Sequence, residues 1–400
     1  MELAFTPDEL AFRDEVRKFF RANVPEALRT KVLEGKHLSK QEIIDSQRIL
    51  NARGWAVPNW PQEWGGQDWS PVQIYMYQDE MQLAGVPATL GFNTSMVGPV
   101  IAQFGTRAQK ERYLARIANL DDWWCQGFSE PGAGSDLASL RTSAKRVGDT
   151  WVINGQKTWT TLAQHADWIF VLCRTDPAAK KQEGISFILA DMKTPGITVR
   201  PIQTIDGGHE VNEVFFDEVV VPYENLVGAE NKGWDCAKFL LGNERTGIAR
   251  VGTSKARLNR IRALAALERV GDRPLIEDPK FREKLAQVEI ELKALEMTQL
   301  RIVAAEGGRD RGKPNPASSI LKLKGSQIQQ ATTELVMEIV GPYAMAFAES
   351  DEGSGRNEPG IGPAYAAGAA PTYFNWRKIS IYGGSNEIQH NIVAKAILGF

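Results

Sequence analysis

The chain has almost no surplus of charge of either sign. Among its 400 residues, 47 lysines and arginines nearly balance 49 aspartates and glutamates, which leaves a formal net charge of −2. Proteins that bind nucleic acid usually carry a basic surplus, because neutralising phosphates supplies much of their affinity. The balance therefore argues against nucleic acid as a partner.

Other signals are missing as well. Met1–Phe20 mixes acidic and basic residues with single apolar ones, without the basic start and apolar block of a secretory signal. No apolar run approaches the roughly 20 residues that cross a bilayer. The 3 cysteines lie far apart in the chain, and the 4 histidines show no spacing typical of metal ligands. We therefore expect a cytoplasmic protein with no membrane span, no disulfide framework and no metal.

What remains is an ordinary globular composition, with 43% hydrophobic and 24% charged residues. A chain of this length exceeds one hydrophobic core, so roughly two or three packed units are expected. The periodicity is helical from Thr6, strand-like from Trp124, and helical again after Gly233. We therefore predict an α+β protein, and its three domains are placed at residues 1–121, 122–228 and 229–400.

Local signals predict individual elements. Thr6 with Glu9 three residues later is the pattern of a capping box, and Pro7 suits the first helical position. Apolar residues at helical spacing predict long amphipathic helices over Phe281–Ala305 and Ser318–Val340. The middle block consists of β-branched and aromatic runs that end at Gly, Pro or Asp, which predicts an antiparallel β unit.

The strongest local motif is Cys125–Asp136, which reads CQGFSEPGAGSD. A strand-like start leads into a turn that contains glycines, a proline and two hydroxyls. Such a turn lets backbone N–H groups approach an anion closely, and Ser135 adds a donor. The alternative is a plain glycine-rich surface turn.

Two further motifs carry polar and aromatic side chains. Asn154–Thr161 reads NGQKTWTT. In this run Trp159 and Thr161 share one face of a strand and could line one side of a site for a planar cofactor. The alternative there is a cross-strand packing pair. Tyr382–Gln389 reads YGGSNEIQ, with Ser385 placed to cap a helix whose first-turn amides could face a polar ligand. An ordinary helix start explains that motif equally simply.

In this order and on this helix–β–helix plan, the three motifs resemble the acyl-CoA dehydrogenase family. The resemblance includes Phe215–Asp217 with Pro222 and covers nearly the whole chain. It implies an N-terminal helical domain, a middle antiparallel β-barrel-like domain and a C-terminal four-helix bundle. It also implies an FAD enzyme in which a base takes a proton from Cα of an acyl-CoA thioester while hydride leaves Cβ for flavin N5. Hydrogen-bond donors at the thioester carbonyl would stabilise the developing enolate.

The resemblance further implies site residues. Gln126, Phe128 and Ser129 would lie along the isoalloxazine, with Trp159 packed against it and Thr161 at its N5 edge. The full set implied for FAD is Gln126, Phe128, Ser129, Gly134, Ser135, Trp159, Thr161, Ser385 and Glu387, joined by Glu338 and Gly341 for the FAD of a neighbouring subunit. The set implied for substrate is Ser135, Arg245, Tyr382 and Gly383. The family's Arg–Phe–Gly segment is missing near Arg269–Pro274, so the cross-subunit arginine stays unassigned.

One departure from the family pattern concerns the catalytic base. Many members carry a glutamate directly after the tyrosine of the C-terminal motif, where this chain has Gly383. A minority carry the base in a Glu-Arg pair on the first long helix of the C-terminal block, which Glu244 and Arg245 match. We therefore predict Glu244 as the base, in an apolar pocket that raises its pKa toward neutrality. The alternative is a solvated helix glutamate.

Within the family, three runs are most similar to the large subunits of bacterial pimeloyl-CoA dehydrogenases. They are Trp123–Phe128, Gly207–Asn212 and Ile381–Gln389. This similarity implies a dicarboxylic or otherwise polar-ended acyl chain. Relatives with the same base position act on steroid side-chain thioesters and can work as paired, unlike subunits.

Three functions stay open on this basis. The first is a catalytic dehydrogenase that passes electrons to an electron-transfer flavoprotein and assembles as a homotetramer, or as a heterotetramer with a related subunit. The second is a non-catalytic partner subunit, in which Gly383 marks a lost base. The third is an oxidase of the same fold that gives its electrons to O₂.

Overall fold

The computed structural model describes residues 4–244, 249–306, 315–346 and 361–400, with the backbone alone at 243–244 and 305–306. The helices are α1 (Pro7–Asn23), α2 (Glu26–Glu34), α3 (Lys40–Ala52), α4 (Pro71–Leu83), α5 (Gly98–Phe104), α6 (Arg107–Ala118), α7 (Gly233–Glu244), α8 (Val251–Leu267), α9 (Pro279–Glu306), α10 (Ser318–Val340), α11 (Ala369–Asn375) and α12 (Asn386–Val393). The strands are β1 (Trp124–Gly127), β2 (Ser143–Val147), β3 (Thr150–Thr161), β4 (Trp168–Arg174), β5 (Ile185–Asp191), β6 (Ile197–Ile202), β7 (Val211–Pro222), β8 (Leu226–Val227), β9 (Arg269–Val270) and β10 (Arg273–Pro274). The helix–β–helix order is as predicted, whereas the exact domain bounds stay a prediction.

The N-terminal helices begin where the sequence supplies caps. The Glu9 amide donates to the Thr6 hydroxyl and the Thr6 amide donates to the Glu9 carboxylate, so the predicted capping box of α1 is confirmed. Reciprocal caps of this kind satisfy backbone N–H groups that have no partner inside the helix. The helices meet around buried aromatic and aliphatic side chains that include Phe20, Trp55 and Tyr77.

The strands β1 to β8 form one sheet with the order β6-β7-β3-β2-β4-β5-β8, in which β1 adds to β4. Most pairs are antiparallel, but β1 and β2 each pair with β4 in parallel. The expectation of a purely antiparallel unit is therefore wrong at β4. Both strands reach β4 through connections longer than a hairpin turn, so the chain direction is not forced to alternate.

The sheet is open, which corrects the expectation of a barrel-like closure. In the described structure β6 and β8 stand at the two ends of the strand path and do not pair with each other. The strand β8 spans only two residues, Leu226–Val227. A strand this short offers few backbone groups for a further neighbour.

The C-terminal helices rest on both earlier blocks. A Cβ at Gly233 would lie 2.4 Å from the Ser186 carbonyl carbon, so the start of α7 approaches β5 more closely than a side chain allows. The predicted long helices are confirmed by α9 and α10, which share a buried core with α8. Within the described ranges, no helix is long and apolar enough to cross a membrane.

Candidate active site

The first two motifs lie side by side. The Thr158 amide donates a 2.9 Å hydrogen bond to the Ser129 carbonyl, and Lys157 Nζ donates to the Phe128 carbonyl at 3.1 Å. The segment that follows β1 is thereby held along β3. The structure thus joins two runs that are about 30 residues apart in the sequence into one surface.

A buried ion pair fastens this junction. Lys157 Nζ lies 2.8 Å from Glu130 Oε1, and the two side chains are 0% and 8% exposed. The amides of Arg141 and Thr142 also donate to the Glu130 carboxylate, at 2.7 and 2.9 Å. Burial raises the pKa of Glu130, but Lys157 and these donors outweigh it, so that pKa lies below its ordinary value. The carboxylate is therefore held in its charged form.

The glycine-rich segment after Glu130 forms a tight turn. Glu130 and Ala133 exchange backbone hydrogen bonds of 3.0 Å in both directions. Beyond that turn Gly134 and Ser135 are exposed, and a Cβ at Gly134 would meet no atom within 4 Å. The turn therefore presents backbone and a hydroxyl on an open surface, which is compatible with the cofactor and substrate roles predicted for these two residues.

The segment around Trp159 departs from regular strand geometry. The pairing of β3 with β7 shifts register between Lys157 and Thr160, so one extra residue bulges out of β3. Trp159 sits in the bulge with φ at 59°, and its side chain is 60% exposed. Bulges re-aim side chains, and a bulky residue in the left-handed region is strained. The strained backbone of the bulge therefore places the Trp159 indole on the exposed surface.

The polar groups around this indole fit a flat, polar ligand such as FAD. Gln126, Ser129 and Thr161 are half-buried on the neighbouring segments, while Phe128 lies buried beneath them. The hydroxyl of Thr160 is buried and has no hydrogen-bond partner in the part of the chain that is described. A planar ring system with acceptors and donors at its edges would complete this set. The residues present therefore fit the predicted cofactor.

The third motif forms a loop in front of α12. Ser385 caps the helix as predicted, because its hydroxyl accepts from the Ile388 amide at 3.4 Å. Hydrogen bonds from its own backbone amide and from Ser385 lower the pKa of the exposed Glu387. Tyr382 is exposed, and Gly383 has φ at 65°, a conformation that favours glycine.

The loop is fastened at both ends by one side chain. Lys322, fully buried on α10, donates to the Ser380 carbonyl at 3.1 Å and to Asn386 Oδ1 at 2.7 Å. These two acceptors flank the loop that carries Tyr382 and Gly383. A buried ammonium must satisfy its donors, so Lys322 ties both ends of the loop to α10.

The same segment also contacts the β block. Asn375 Nδ2 donates to Asp206 at 2.8 Å and to Glu210 at 3.1 Å, and Lys378 forms an ion pair with Glu210. Asp206 and Glu210 lie between β6 and β7. The C-terminal motif and the β block are therefore tied together within a single chain.

Other predicted site residues lie elsewhere. Glu338 pairs with Lys284 at 2.8 Å near the end of α10, and Gly341 follows that end. At 1.5 Å per residue, Glu338 stands about 24 Å along the helix from Lys322. Their predicted contact with the FAD of a neighbouring subunit stays a prediction.

The predicted base lies at a boundary of the described structure. Glu244 is the last residue of α7, and its side chain lies outside the described part. Arg245 lies wholly outside the described residues. The roles assigned to this pair therefore stay predictions.

Sequence reasoning missed the buried cations of the site. Lys322 occurs in a helix where charged residues normally face solvent, so its spacing carries no signal of burial. Lys157 lies within the motif Asn154–Thr161, but nothing in the sequence indicates that Glu130 is its partner. Only the packing of distant segments reveals these contacts.

Comparisons with known proteins agree along the whole chain. Residues 6–121 match the family model "Acyl-CoA dehydrogenase, N-terminal domain", residues 125–219 match "Acyl-CoA dehydrogenase, middle domain", and residues 231–398 match "Acyl-CoA dehydrogenase, C-terminal domain". The Acyl-CoA dehydrogenase IpdE1 of Mycobacterium tuberculosis is 34% identical over 97% of this chain and 97% of its own length.

Two solved structures have the same overall shape. The ChsE4-ChsE5 complex from Mycobacterium tuberculosis has a chain that is 30% identical, with a TM-score of 0.83 over 100% of this chain and 99% of its own. The structure titled "Tcur3481-Tcur3483 steroid ACAD" is also 30% identical, with a TM-score of 0.85 over 100% of this chain and 99% of its own. The chain therefore belongs to the acyl-CoA dehydrogenase family of FAD-dependent oxidoreductases.

Proposed function

We propose that the chain is a catalytic subunit that dehydrogenates the Cα–Cβ bond of an acyl-CoA thioester, with Glu244 as the base. The observation that carries this proposal is Gly383, a residue without a side chain, in a left-handed conformation and in a loop that Lys322 holds in place. At the position where many family members carry the base, this chain thus has a loop that is held in place but bears no carboxylate. Glu244 supplies the alternative, because it lies on the helix that Gly233 seats closely on β5 and matches the Glu-Arg pair that a minority of the family uses.

The chain's own residues divide into two groups in this proposal. Gln126, Phe128, Ser129, Trp159 and Thr161 hold the flavin ring, Gly134 and Ser135 border it, and Ser385 and Glu387 hold its ribityl-pyrophosphate part. Ser135, Arg245, Tyr382 and Gly383 face the substrate. When bound, FAD supplies the acceptor for the hydride that leaves Cβ. The protein's task is to orient the thioester, exclude water and receive the Cα proton.

Anaerobic bleaching of bound flavin by acyl-CoA tests the assignment. We expect Glu244→Gln to slow bleaching by roughly 10²- to 10⁴-fold, the usual contribution of a general base. Glu283→Gln is a matched control, because Glu283 is an exposed glutamate of α9. If Glu244→Gln bleaches as fast as the parent while FAD content is unchanged, the base lies elsewhere.

The acyl group is the next question. We propose a steroid-derived CoA thioester, supported by similarity over the whole chain to the structure titled as a steroid ACAD. The dicarboxylyl chain that sequence resemblance implies, such as pimeloyl-CoA, is the second candidate. A panel that contains a steroid side-chain thioester, pimeloyl-CoA and straight-chain thioesters separates them by kcat/KM. Preference for a straight monocarboxylic chain would contradict both.

A second function, that of one subunit in an unlike pair, is favoured by a specific observation. Two similar solved structures are titled with two named components each. If the purified chain alone binds little FAD and gains both FAD and bleaching activity when co-expressed with a related subunit, it acts as part of a heterotetramer. Full FAD content in a homotetramer would contradict this. Turnover with an electron-transfer flavoprotein compared with O₂ distinguishes a dehydrogenase from an oxidase.

A further inference from the structure

Arg257, in the middle of α8, is a half-buried arginine without an acidic partner among the described residues. Its guanidinium carbon lies 3.6 Å from the centre of the Trp376 ring, so the two groups are stacked. Its Nη1 is buried, and no acceptor lies within hydrogen-bond distance of it in the described ranges. Burial, with Arg250 acting in the same direction, lowers the pKa of Arg257 to about 9.

This situation differs from that of other arginines in the fold. Arg262, on the same helix, lies 2.7 Å from Glu289, and Arg17 lies 2.6 Å from the buried Glu80. A charged donor atom that is buried without an acceptor is costly, and native proteins seldom leave such a donor without a partner. Nη1 of Arg257 therefore has no partner in the part of the chain that the structure describes, and an anion would supply one.

A second cation points to the same place. The guanidinium carbon of Arg250 lies 5.8 Å from the centre of the same Trp376 ring. Trp376 opens the short turn Trp376–Ser380, which leads directly into the loop of Tyr382 and Gly383. Tyr382 also interacts electrostatically with Arg257. Two guanidinium groups thus converge on one indole beside the predicted substrate loop.

We infer that Arg257, stacked on Trp376, binds an anionic oxygen group of the acyl-CoA substrate. The inference rests on the proposed function, because it takes the substrate to be a CoA thioester. Stacking holds the guanidinium plane fixed, and Nη1 has no acceptor among the described residues. A carboxylate or phosphate that reaches Nη1 would accept the charge-assisted hydrogen bond that this donor lacks. Such a group has two sources in this substrate: a carboxylate on the acyl part, or a phosphate of CoA.

The test measures binding directly on the FAD-loaded protein, together with its partner subunit if one is required. Calorimetry gives the dissociation constants of pimeloyl-CoA, heptanoyl-CoA and free CoA for the parent and for Arg257→Gln. If Arg257 binds an acyl carboxylate, the variant weakens pimeloyl-CoA alone, by about tenfold or more. If it binds a CoA phosphate, all three ligands weaken by about that factor. A change below about twofold for all three overturns the inference.

Two further variants keep the result interpretable. Arg262→Gln removes an exposed arginine of the same helix that is already paired with Glu289, and it should leave all three dissociation constants unchanged. Arg257→Lys keeps the charge but not the planar fork, so it should restore binding only in part. The melting temperature of each variant without ligand is measured alongside, so that a loss of binding that merely follows from unfolding is recognised. Calorimetry reads binding even if no thioester bleaches the flavin, so failure of the proposed function is seen separately.

Discussion

Trp159 combines an exposed indole with a backbone conformation that residues bearing a Cβ avoid. The left-handed region costs an L-residue about 1–2 kcal/mol. The register shift between Lys157 and Thr160 holds the residue there, because strand pairing resumes on both sides of it. Strain that is held in place by its surroundings is typical of functional sites.

Replacing Trp159 separates the cost of this conformation from the loss of the ring. Trp159→Gly and Trp159→Ala both remove the indole, but only glycine adopts φ near 59° without strain. We therefore expect the flavin-free glycine variant to be more stable than the alanine variant by about 1 kcal/mol. Urea unfolding measures this difference. An alanine variant as stable as the glycine variant would show that the bulge relaxes.

The pair of Lys157 and Glu130 gives a prediction about stability and pH. Lys157→Met leaves a buried carboxylate without its cation, and we expect a loss of about 3–5 kcal/mol at pH 7. The pKa of Glu130 is lowered in the folded parent, so the pair stabilises above the ordinary carboxyl pKa and is lost as pH falls through the folded value. In the variant, burial without the ammonium is expected to raise the pKa of the Glu130 carboxyl instead. The variant therefore loses less stability than the parent as the pH falls.

The free energy of unfolding at pH 7 and at pH 4 checks both statements. The gap between parent and Lys157→Met should narrow on acidification. Lys181→Met is the matched control, because Lys181 and its partner Asp136 are 60% and 63% exposed. That variant should stay within about 1 kcal/mol of the parent. A gap that is constant with pH would mean that Glu130 does not carry the effect.

At the scale of elements, the loop between Ser380 and Asn386 depends on α10 for its position. Lys322→Met removes the donor that both of these residues share. Leaving a buried polar group unsatisfied costs about 1–3 kcal/mol, and because Ser380 and Asn386 are only half-buried we expect a loss of stability near the lower end of that range. Limited proteolysis should then cut first within the loop that carries Tyr382 and Gly383.

Lys324→Met serves as the control for this loop, because Lys324 is an exposed neighbour on α10 that lies 3.4 Å from Glu291. Its cleavage pattern and stability should match the parent. Equal proteolysis in both variants would mean that the loop is held by other contacts, such as those from Gln389 to the Gly383 and Gly384 carbonyls.

The sequence predicts elements well where the signal is local, whereas the roles of the predicted site residues stay predictions. The capping box at Thr6 and the helix over Ser318–Val340 depend on neighbours in sequence, and both are confirmed. The parallel pairing at β4 and the bulge at Trp159 depend on which distant strands meet, and no local pattern encodes that. The stacking of Arg257 on Trp376 could not be predicted for the same reason, since the two residues are 119 positions apart in the sequence.

At the scale of the whole molecule, the N-terminal and C-terminal helical blocks are joined by a polar cluster. Lys255 of α8 contacts Asp79 of α4 at 3.1 Å and Glu296 of α9 at 2.5 Å. The Tyr75 hydroxyl also donates to Glu296, at 3.3 Å. Burial raises the pKa of Asp79 despite the nearby ammonium, so the loss of hydration outweighs the attraction of Lys255.

Removing Lys255 should weaken the contact between the N-terminal and C-terminal helical blocks. Lys255→Met leaves two carboxylates that are each 14% exposed close to one another, and we expect a loss of about 3 kcal/mol. Because the lost contacts lie between blocks, tryptophan fluorescence, which reports mainly the N-terminal and β blocks, should separate from far-ultraviolet circular dichroism, which reports all helices, during urea unfolding. Lys293→Met removes a 67% exposed lysine from the same Glu296 and should leave the two transitions coincident. Adding Glu296→Gln to Lys255→Met removes one of the two facing charges, so it should restore part of the lost free energy of unfolding. A double variant no more stable than Lys255→Met would mean that the apolar packing of α4 against α8 holds the two blocks together instead.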